Sequence, residues 1–275
     1  MHLDDVTDIL REAADAAVTP RFRALAAGDV DEKAPGEVVT VADREAEELI
    51  GRRLRALLDA PVVGEEAAAA DPSLVRALRE ADAAWLVDPL DGTANFVAGS
   101  PEHAVMAALV RHGETVAAWI VQPATGRAYT AERGAGAWCD GVRLRRAPGA
   151  AEKLRGDALT RFLDPDTRAH VEAAAPHFAE LGAGSKCAGF DYPRLAEGER
   201  DFVLFHRTLP WDHAPGALLL AEAGGVVRRP DGSVYGPADD RTGLLAAADA
   251  ESWRTVRDRL LPGSPSAAPA TTTAR

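Results

Sequence analysis

Hydrophobic positions near the start of the chain recur at intervals of three and four residues, the spacing of an amphipathic helix. One such face consists of Val6, Ile9, Leu10, Ala13 and Ala17. A second face consists of Ala46, Leu49, Ile50, Leu54 and Leu57. Thr40 and Asp43 precede the second face with the spacing of a capping box, which closes the first turn of a helix. The pattern therefore predicts two helices, the second beginning near Thr40.

Shorter apolar runs predict strands. Residues 61–63 and 85–87 are such runs, and each is followed by acidic residues. Residues 104–110, 116–121 and 127–132 are separated by turn-forming residues and predict a meander of antiparallel strands. The Asp140 and Gly141 pair indicates one more hairpin.

From about residue 151 the pattern alternates between helix and strand. Helical segments are expected near 165–181, 212–223 and 250–261, and strands near 202–205, 226–229 and 243–248. We therefore expect an α+β half (1–150) and an α/β half (151–262) within one catalytic domain. The tail, 263–275, is rich in Pro, Ser, Thr and Ala, a composition typical of disorder.

Composition and charge narrow the class of protein. The chain has 275 residues, of which 47% are hydrophobic, enough for one large domain. Asp and Glu outnumber Lys and Arg by 43 to 31, so the basic surface typical of nucleic-acid binding is absent and we expect no such partner.

Two distant cysteines predict neither a disulfide framework nor a thiolate metal site, and favour a reduced, cytoplasmic setting. No apolar run approaches the roughly 20 residues of a membrane span, and the acidic N-terminus is unlike a signal peptide.

The most informative stretch is 85–96, Trp-Leu-Val-Asp-Pro-Leu-Asp-Gly-Thr-Ala-Asn-Phe. Asp88 and Asp91 follow a predicted strand, and a turn between them points both carboxylates, with the Leu90 carbonyl, into one volume. Mg²⁺ prefers such all-oxygen sites. Gly92 and Thr93 follow, where a helical turn would present backbone N–H groups to a phosphate. The alternative is that this segment is only a turn, because Asp, Pro and Gly are common turn formers.

Other acidic positions strengthen the first interpretation. Glu65 and Glu66 end one predicted strand, and Asp212 begins an apolar helix. Asp212 as a plain N-cap, and Asp43 as only a capping-box acid, are the competing interpretations.

These segments together resemble the inositol monophosphatase family of lithium-sensitive, magnesium-dependent phosphatases. The resemblance rests on 64–66, on 85–96, and on 211–216 through Gly225, and it extends from about residue 3 to 261. It implies a five-layer αβαβα sandwich, hydrolysis of a small phosphomonoester, and a homodimer.

Carried over by position, the resemblance assigns roles to particular residues. It implies a first Mg²⁺ at Glu65, Asp88 and the Leu90 carbonyl, and a second at Asp88, Asp91 and Asp212, with a weaker third ion using Glu65. Asp43 and Thr93, together with Glu65, would orient and activate the attacking water. The substrate phosphate would lie against Asp91, Gly92, Thr93 and Asp212.

The chain departs from the family pattern where the substrate alcohol would lie. Phe205 stands where many members have a glutamate that contacts inositol hydroxyls. Lys186, His206 and Arg207 are nearby in the aligned segments, and we expect them either to surround the alcohol or to face solvent or a dimer partner. The first arrangement favours a substrate with a second anionic group.

Several functions remain open on this basis. The leading one is hydrolysis of inositol monophosphate or a related polyol or sugar phosphate by a metal-activated water. Histidinol-phosphate, fructose-1,6-bisphosphate and nucleotide 3′-phosphate phosphatases would share the metal motif. A non-enzymatic alternative is a partner of the transcription machinery.

Overall fold

The structure is a computed structural model that describes residues 2–149 and 153–261; the predicted tail, 263–275, lies outside them. The α-helices of these residues are α1 (Leu3–Ala13), α2 (Val41–Leu57), α3 (Glu65–Ala70), α4 (Ala77–Glu80), α5 (Thr93–Val97), α6 (Pro165–Ala173), α7 (Ala188–Glu197), α8 (Pro210–Ala223) and α9 (Ala250–Leu260). A π-helical turn, Ala14–Val18, continues α1. None of these helices is both long and apolar enough to cross a membrane.

Strands β1 (Val30–Ala34) and β2 (Glu37–Thr40) form a separate hairpin. The larger sheet has seven strands, in chain order β3 (Val62–Gly64), β4 (Ala83–Asp91), β5 (Ala104–Arg111), β6 (Glu114–Gln122), β7 (Arg127–Glu132), β8 (Gly136–Cys139) and β9 (Val142–Leu144). Strands β3 and β4 are parallel, and all other neighbours are antiparallel.

Side chains of the larger sheet alternate between two covered faces, as the strand period of two requires. Trp85, Val87 and Trp119 belong to the core that the sheet forms with α1 and α2. Met106 and Ile120 belong to the core formed with α7 and α8. Because both faces are covered at β4, β5 and β6, these strands are mostly apolar.

The smaller sheet has five strands, β10 (Arg155–Ala158), β11 (Glu180–Gly182), β12 (Phe202–Phe205), β13 (Val226–Arg228) and β14 (Leu244–Ala247), in the spatial order β11-β10-β12-β14-β13. One face of this sheet packs on α7 and α8, and its other face carries the core that includes α6 and α9. The layers are thus α1 and α2, the seven-stranded sheet, α7 and α8, the five-stranded sheet, and α6 and α9. The five-layer αβαβα sandwich is confirmed.

Most predicted elements are present, and one boundary is wrong. The helix expected over 165–181 ends at Ala173; a short 3₁₀ turn, Ala175–His177, and strand β11 follow it. Pro176 accounts for the error, since proline lacks the N–H that a continuing helix needs. The β1–β2 hairpin was not predicted, although Pro35 and Gly36 at its turn are a turn signal.

Candidate active site

The end of β4 carries Asp88, Leu90 and Asp91. Asp88 pairs with Met106 and Asp91 with Ala104, so β4 holds one extra residue here and forms a bulge. Pro89 suits this position because a bulge does not need its missing N–H. The Leu90 N–H donates to Asp88 Oδ1 at 3.1 Å, which fixes the carboxylate against its own turn.

Gly92 connects the bulge to α5. Its φ of 81° lies in the left-handed region that favours glycine. A Cβ at this position would lie 2.9 Å from the Glu102 carbonyl oxygen and 3.1 Å from Cys187 Cβ. Both the backbone angle and the lack of space therefore require glycine between Asp91 and Thr93.

Thr93 and Asp43 lie 50 residues apart in sequence but are bonded to each other. The Thr93 hydroxyl lies 3.0 Å from Asp43 Oδ1 and 2.9 Å from the Leu90 carbonyl oxygen, so its proton is shared between two acceptors. The other oxygen of Asp43 accepts from the backbone N–H and the hydroxyl of Thr40, at 2.8 and 2.6 Å. The two interpretations of Asp43 are thus compatible, because one oxygen closes the capping box and the other faces Thr93.

Asp91 is held by the loop and first turn of α7, almost 100 residues later in sequence. Its Oδ2 accepts from the Gly189 N–H at 2.6 Å and lies 3.0 Å from Cys187 Sγ. A Cβ at Gly189 would come within 2.4 Å of Ala104 Cβ, so glycine permits the close approach. The sequence analysis gave neither residue a role, although the small residues among 184–189 were an available signal.

Glu65 is the first residue of α3. It forms an ion pair with a lysine that the sequence analysis did not single out. Lys33, on β1, lies 2.6 Å from Glu65 Oε1 and 2.7 Å from Glu66 Oε1. Glu47 of α2, also missed, accepts from the backbone N–H groups of Glu66 and Ala67 at the start of α3. A spacing of four from Asp43 places Glu47 on the same helix face, which was an available signal.

Asp212 lies in the first turn of α8, whose N-cap is Leu209. The interpretation of Asp212 as a plain N-cap is therefore wrong. The next residue, His213, is buried, with Nε2 2.9 Å from the Arg207 carbonyl oxygen and Nδ1 3.1 Å from the Tyr192 hydroxyl. Burial lowers the pKa of His213 to about 4, so this side chain is neutral at physiological pH.

The carboxylates of the acidic segments lie close enough for their charges to change one another's pKa values. Burial raises the pKa of Asp88 well above its usual range, and the charges of Glu65, Asp91 and Asp212 raise it further. Burial likewise raises the pKa of Asp212. It raises the pKa of Asp91 to about 6, against the opposing hydrogen bonds from Cys187 and Gly189. Ionised carboxylates crowded in this way are stabilised by a nearby cation.

The chemistry of these donors fits a hard divalent cation, since all are oxygens. Within residues 2–149 and 153–261, however, no three His, Cys, Asp or Glu side chains stand close enough to hold an ion as they are placed. Lys33 pairs with Glu65, and main-chain donors hold an oxygen of Asp88 and of Asp91. Small side-chain rotations would therefore have to accompany metal binding.

A cleft of about 310 Å³ opens beside this group, and Asp91 and Asp212 line it. The proposed specificity residues line the same cleft: Lys186, Phe205, His206 and Arg207. Phe205 is buried and stacks on Tyr192, with ring centroids 5.1 Å apart. Where the family resemblance predicts a glutamate, the wall is thus aromatic and offers no hydrogen-bond acceptor to a substrate hydroxyl.

Comparison with known proteins gives a consistent answer. The model of the inositol monophosphatase family matches residues 2–263. An inositol-1-monophosphatase of Rhizobium meliloti (strain 1021) is 36% identical over 203 residues, which cover 70% of this chain and 72% of that protein. A fructose-1,6-bisphosphatase/inositol-1-monophosphatase of Thermotoga maritima is 31% identical over 70% of this chain and 71% of its own.

Two further similarities bear on function and fold. The Nus factor SuhB of Pseudomonas aeruginosa is 34% identical over 237 residues, covering 82% of this chain and 85% of that protein. The solved structure of a Thermotoga maritima IMPase superposes with a TM-score of 0.77 at 25% identity, covering 94% of each chain. Because the family model spans nearly the whole chain and the fold agrees, the chain belongs to the inositol monophosphatase family of phosphoric monoester hydrolases.

Proposed function

We propose that this chain is a Mg²⁺-dependent phosphomonoesterase acting on a small phosphorylated metabolite, such as inositol monophosphate or a related polyol or sugar phosphate. One observation carries the proposal. The charges of Glu65, Asp91 and Asp212 all act on Asp88, and Asp91 and Asp212 line the cleft. Thr93 is bonded to Asp43, whose charge also acts on Asp88.

The metal ligands in this proposal are Glu65, Asp88, Asp91 and Asp212 with the Leu90 carbonyl, for two or three Mg²⁺ ions. Such ions neutralise charge on phosphoryl oxygens and lower the pKa of a bound water. Burial and mutual repulsion both disfavour the ionised form of these carboxylates. A bound cation would offset this cost, which supports a metal ion at the site.

The chain's own residues would position the attacking water and the phosphate. The Thr93 proton points to Asp43 and the Leu90 carbonyl, which leaves the hydroxyl oxygen to accept a hydrogen bond from water. Burial raises the pKa of Asp43 to about 6, so this carboxylate is suited to take up a proton near neutral pH. The N–H groups of Gly92 and Thr93 would bind the phosphate, because the first N–H groups of a helix have no intrahelical partner.

A non-enzymatic role is the second candidate, and the similarity to Nus factor SuhB favours considering it. A protein that only binds the transcription machinery has no need of an ordered Thr93–Asp43 pair or of buried carboxylates whose charges repel one another. The site therefore supports catalysis, alone or alongside such binding.

The test is phosphate release from inositol 1-phosphate by the purified full-length chain. We expect turnover with Mg²⁺, its loss with a chelator, and recovery when Mg²⁺ is restored. A panel including fructose 1,6-bisphosphate, histidinol phosphate and a nucleotide 3′-phosphate would identify the preferred class. An absence of metal-dependent hydrolysis across the panel would leave the binding role.

The proposal has three further parts, which the family resemblance implies. Li⁺ should inhibit at the second metal position, as a titration of activity would measure. The chain should be a homodimer, which sedimentation at micromolar concentration would test. Its setting should be cytoplasmic, which fractionation of cells would test.

A further inference from the structure

One part of the cleft beside the carboxylates is cationic. One of its positive side chains forms an ion pair with a carboxylate, and in the part of the chain that the structure describes the others do not. Three basic side chains line it: Arg161, Lys186 and Arg207. The sequence had suggested Lys186 and Arg207, together with His206, as the groups that would meet a second anion. Arg161 had not been singled out, because it lies in the connection between β10 and α6.

Arg207 is already paired. Its guanidinium forms an ion pair with Glu37, on β2, and also lies 4.9 Å from the centre of the Phe162 ring. The carboxylate of Glu37 therefore compensates most of the charge that Arg207 would offer to a ligand.

Arg161 and Lys186 are different. Arg161 donates to the Gly36 carbonyl oxygen at 3.2 Å and lies 5.0 Å from the centre of the Phe162 ring. Within residues 2–149 and 153–261, neither Arg161 nor Lys186 forms an ion pair with a carboxylate. Both are exposed at the cleft. They are thus the two cations of this wall whose charge is still available to a ligand.

The backbone that carries Lys186 is fixed in an unusual conformation. Its φ of 63° is in the left-handed region, which costs a non-glycine residue about 1 kcal/mol or more. The neighbouring Ser185 is held from both sides, since its N–H donates to Asp191 and its carbonyl accepts from Asn95, each at 2.8 Å. Strain of this kind persists where surrounding contacts determine it, and it is concentrated at ligand sites.

We propose that Arg161 and Lys186 form a second anion-binding subsite, so that the preferred substrate is a phosphomonoester that carries a second phosphate or a carboxylate. This inference rests on the proposed phosphatase function. Guanidinium and ammonium groups form their strongest hydrogen bonds with phosphate and carboxylate oxygens. Phe205 supports the same assignment, because a carboxylate at its position would repel the second anion.

Two pairs of substrates test the subsite, each differing by one anionic group. Fructose 1,6-bisphosphate is compared with fructose 1-phosphate, and 3-phosphoglycerate with glycerol 3-phosphate, by initial rates of phosphate release with Mg²⁺. In the wild type, kcat/KM should favour the member with two anionic groups in at least one pair, and the pair that shows the preference identifies phosphate or carboxylate as the second group.

Arg161→Gln and Lys186→Gln should each lower this preference by about 10-fold or more, since a hydrogen bond to a charged group contributes about that factor. The change should appear in KM, because the second anion is bound equally before and during the reaction. Arg161→Lys should restore part of the preference. Arg254→Gln, which removes the same charge from the exposed face of α9, is the matched control and should change nothing.

The outcomes separate the two proposals. If no substrate is hydrolysed with Mg²⁺, the phosphatase proposal fails. If the substrates with a single phosphate are hydrolysed but neither pair shows a preference, or the preference survives both Gln variants, the phosphatase proposal stands and the second subsite is refuted.

Discussion

The carboxylate part of the cleft and its cationic part are built from different kinds of backbone. Asp88 and Asp91 lie at the end of a central strand, and Asp212 lies in the first turn of α8. Arg161 and Lys186 lie in connections, one between β10 and α6 and the other between β11 and α7. Asp88 and Asp91 are almost fully buried, whereas both cations are exposed.

In the proposed site, the buried carboxylates serve the reaction and the exposed cations serve the choice of substrate. The backbone that carries a buried carboxylate on a strand is held by the packing of two layers, so the carboxylate can rotate about its side-chain bonds but cannot shift along the chain unless the fold changes. An exposed cation on a connecting loop can be replaced with little cost to stability, because loops tolerate substitution. In the two proposals together, the core fixes the reaction, and the loops that carry Arg161 and Lys186 set the preference for a second anion alongside Phe205 of β12.

The largest expected effect comes from the carboxylate part. Asp91→Asn should lower kcat by about 10³-fold or more, since losing a metal ligand charge forfeits several kcal/mol of transition-state stabilisation. Kinetics with inositol 1-phosphate and saturating Mg²⁺ would measure it, alongside a thermal melt to show that the variant is folded. Asp59→Asn, the same change at an exposed position, is the control. Full turnover by the Asp91 variant would disprove the metal assignment.

A smaller effect is expected at the residues that position the water. Thr93→Ala should lower kcat by about 100-fold with little change in KM, because the hydroxyl acts mainly in the transition state. Thr93→Ser keeps the hydroxyl and should retain most activity. Asp43→Asn should lower kcat similarly and also lower Tm, since Asp43 closes the capping box of α2. Losses confined to Tm in both Thr93→Ala and Asp43→Asn would mean that these residues only stabilise the fold.

The smallest effect is expected in the cationic part. Glu37→Gln removes the partner of Arg207 and should raise the preference for fructose 1,6-bisphosphate over fructose 1-phosphate by about threefold. The effect is small because this pair is partly exposed to solvent, where ion pairs contribute about 1 kcal/mol or less. Glu172→Gln, an exposed change on α6, is the control. An unchanged preference would mean that Arg207 takes no part in binding the second anion even when its charge is uncompensated.

Structural features that depend only on neighbouring residues were predicted correctly from the sequence. The capping box at Thr40 and Asp43 depends on residues three apart, and the turn around Pro89 depends on its immediate neighbours. The apolar strands were evident because burial on both faces leaves little polar composition in them. The one wrong helix boundary, at Ala173, came from apolar spacing that continued past a proline.

The sequence by itself determined most of the helices and strands and the carboxylates that we propose as metal ligands, but not the β1–β2 hairpin or α7. These follow from periodicity and turn chemistry, which are properties of short segments. Only the tertiary structure decided which distant groups meet: Lys33 with Glu65, Gly189 with Asp91, and Glu37 with Arg207, 170 residues apart. The physical reason is that a contact between two loops depends on how whole layers pack, and no local pattern records whether a charge will find a partner.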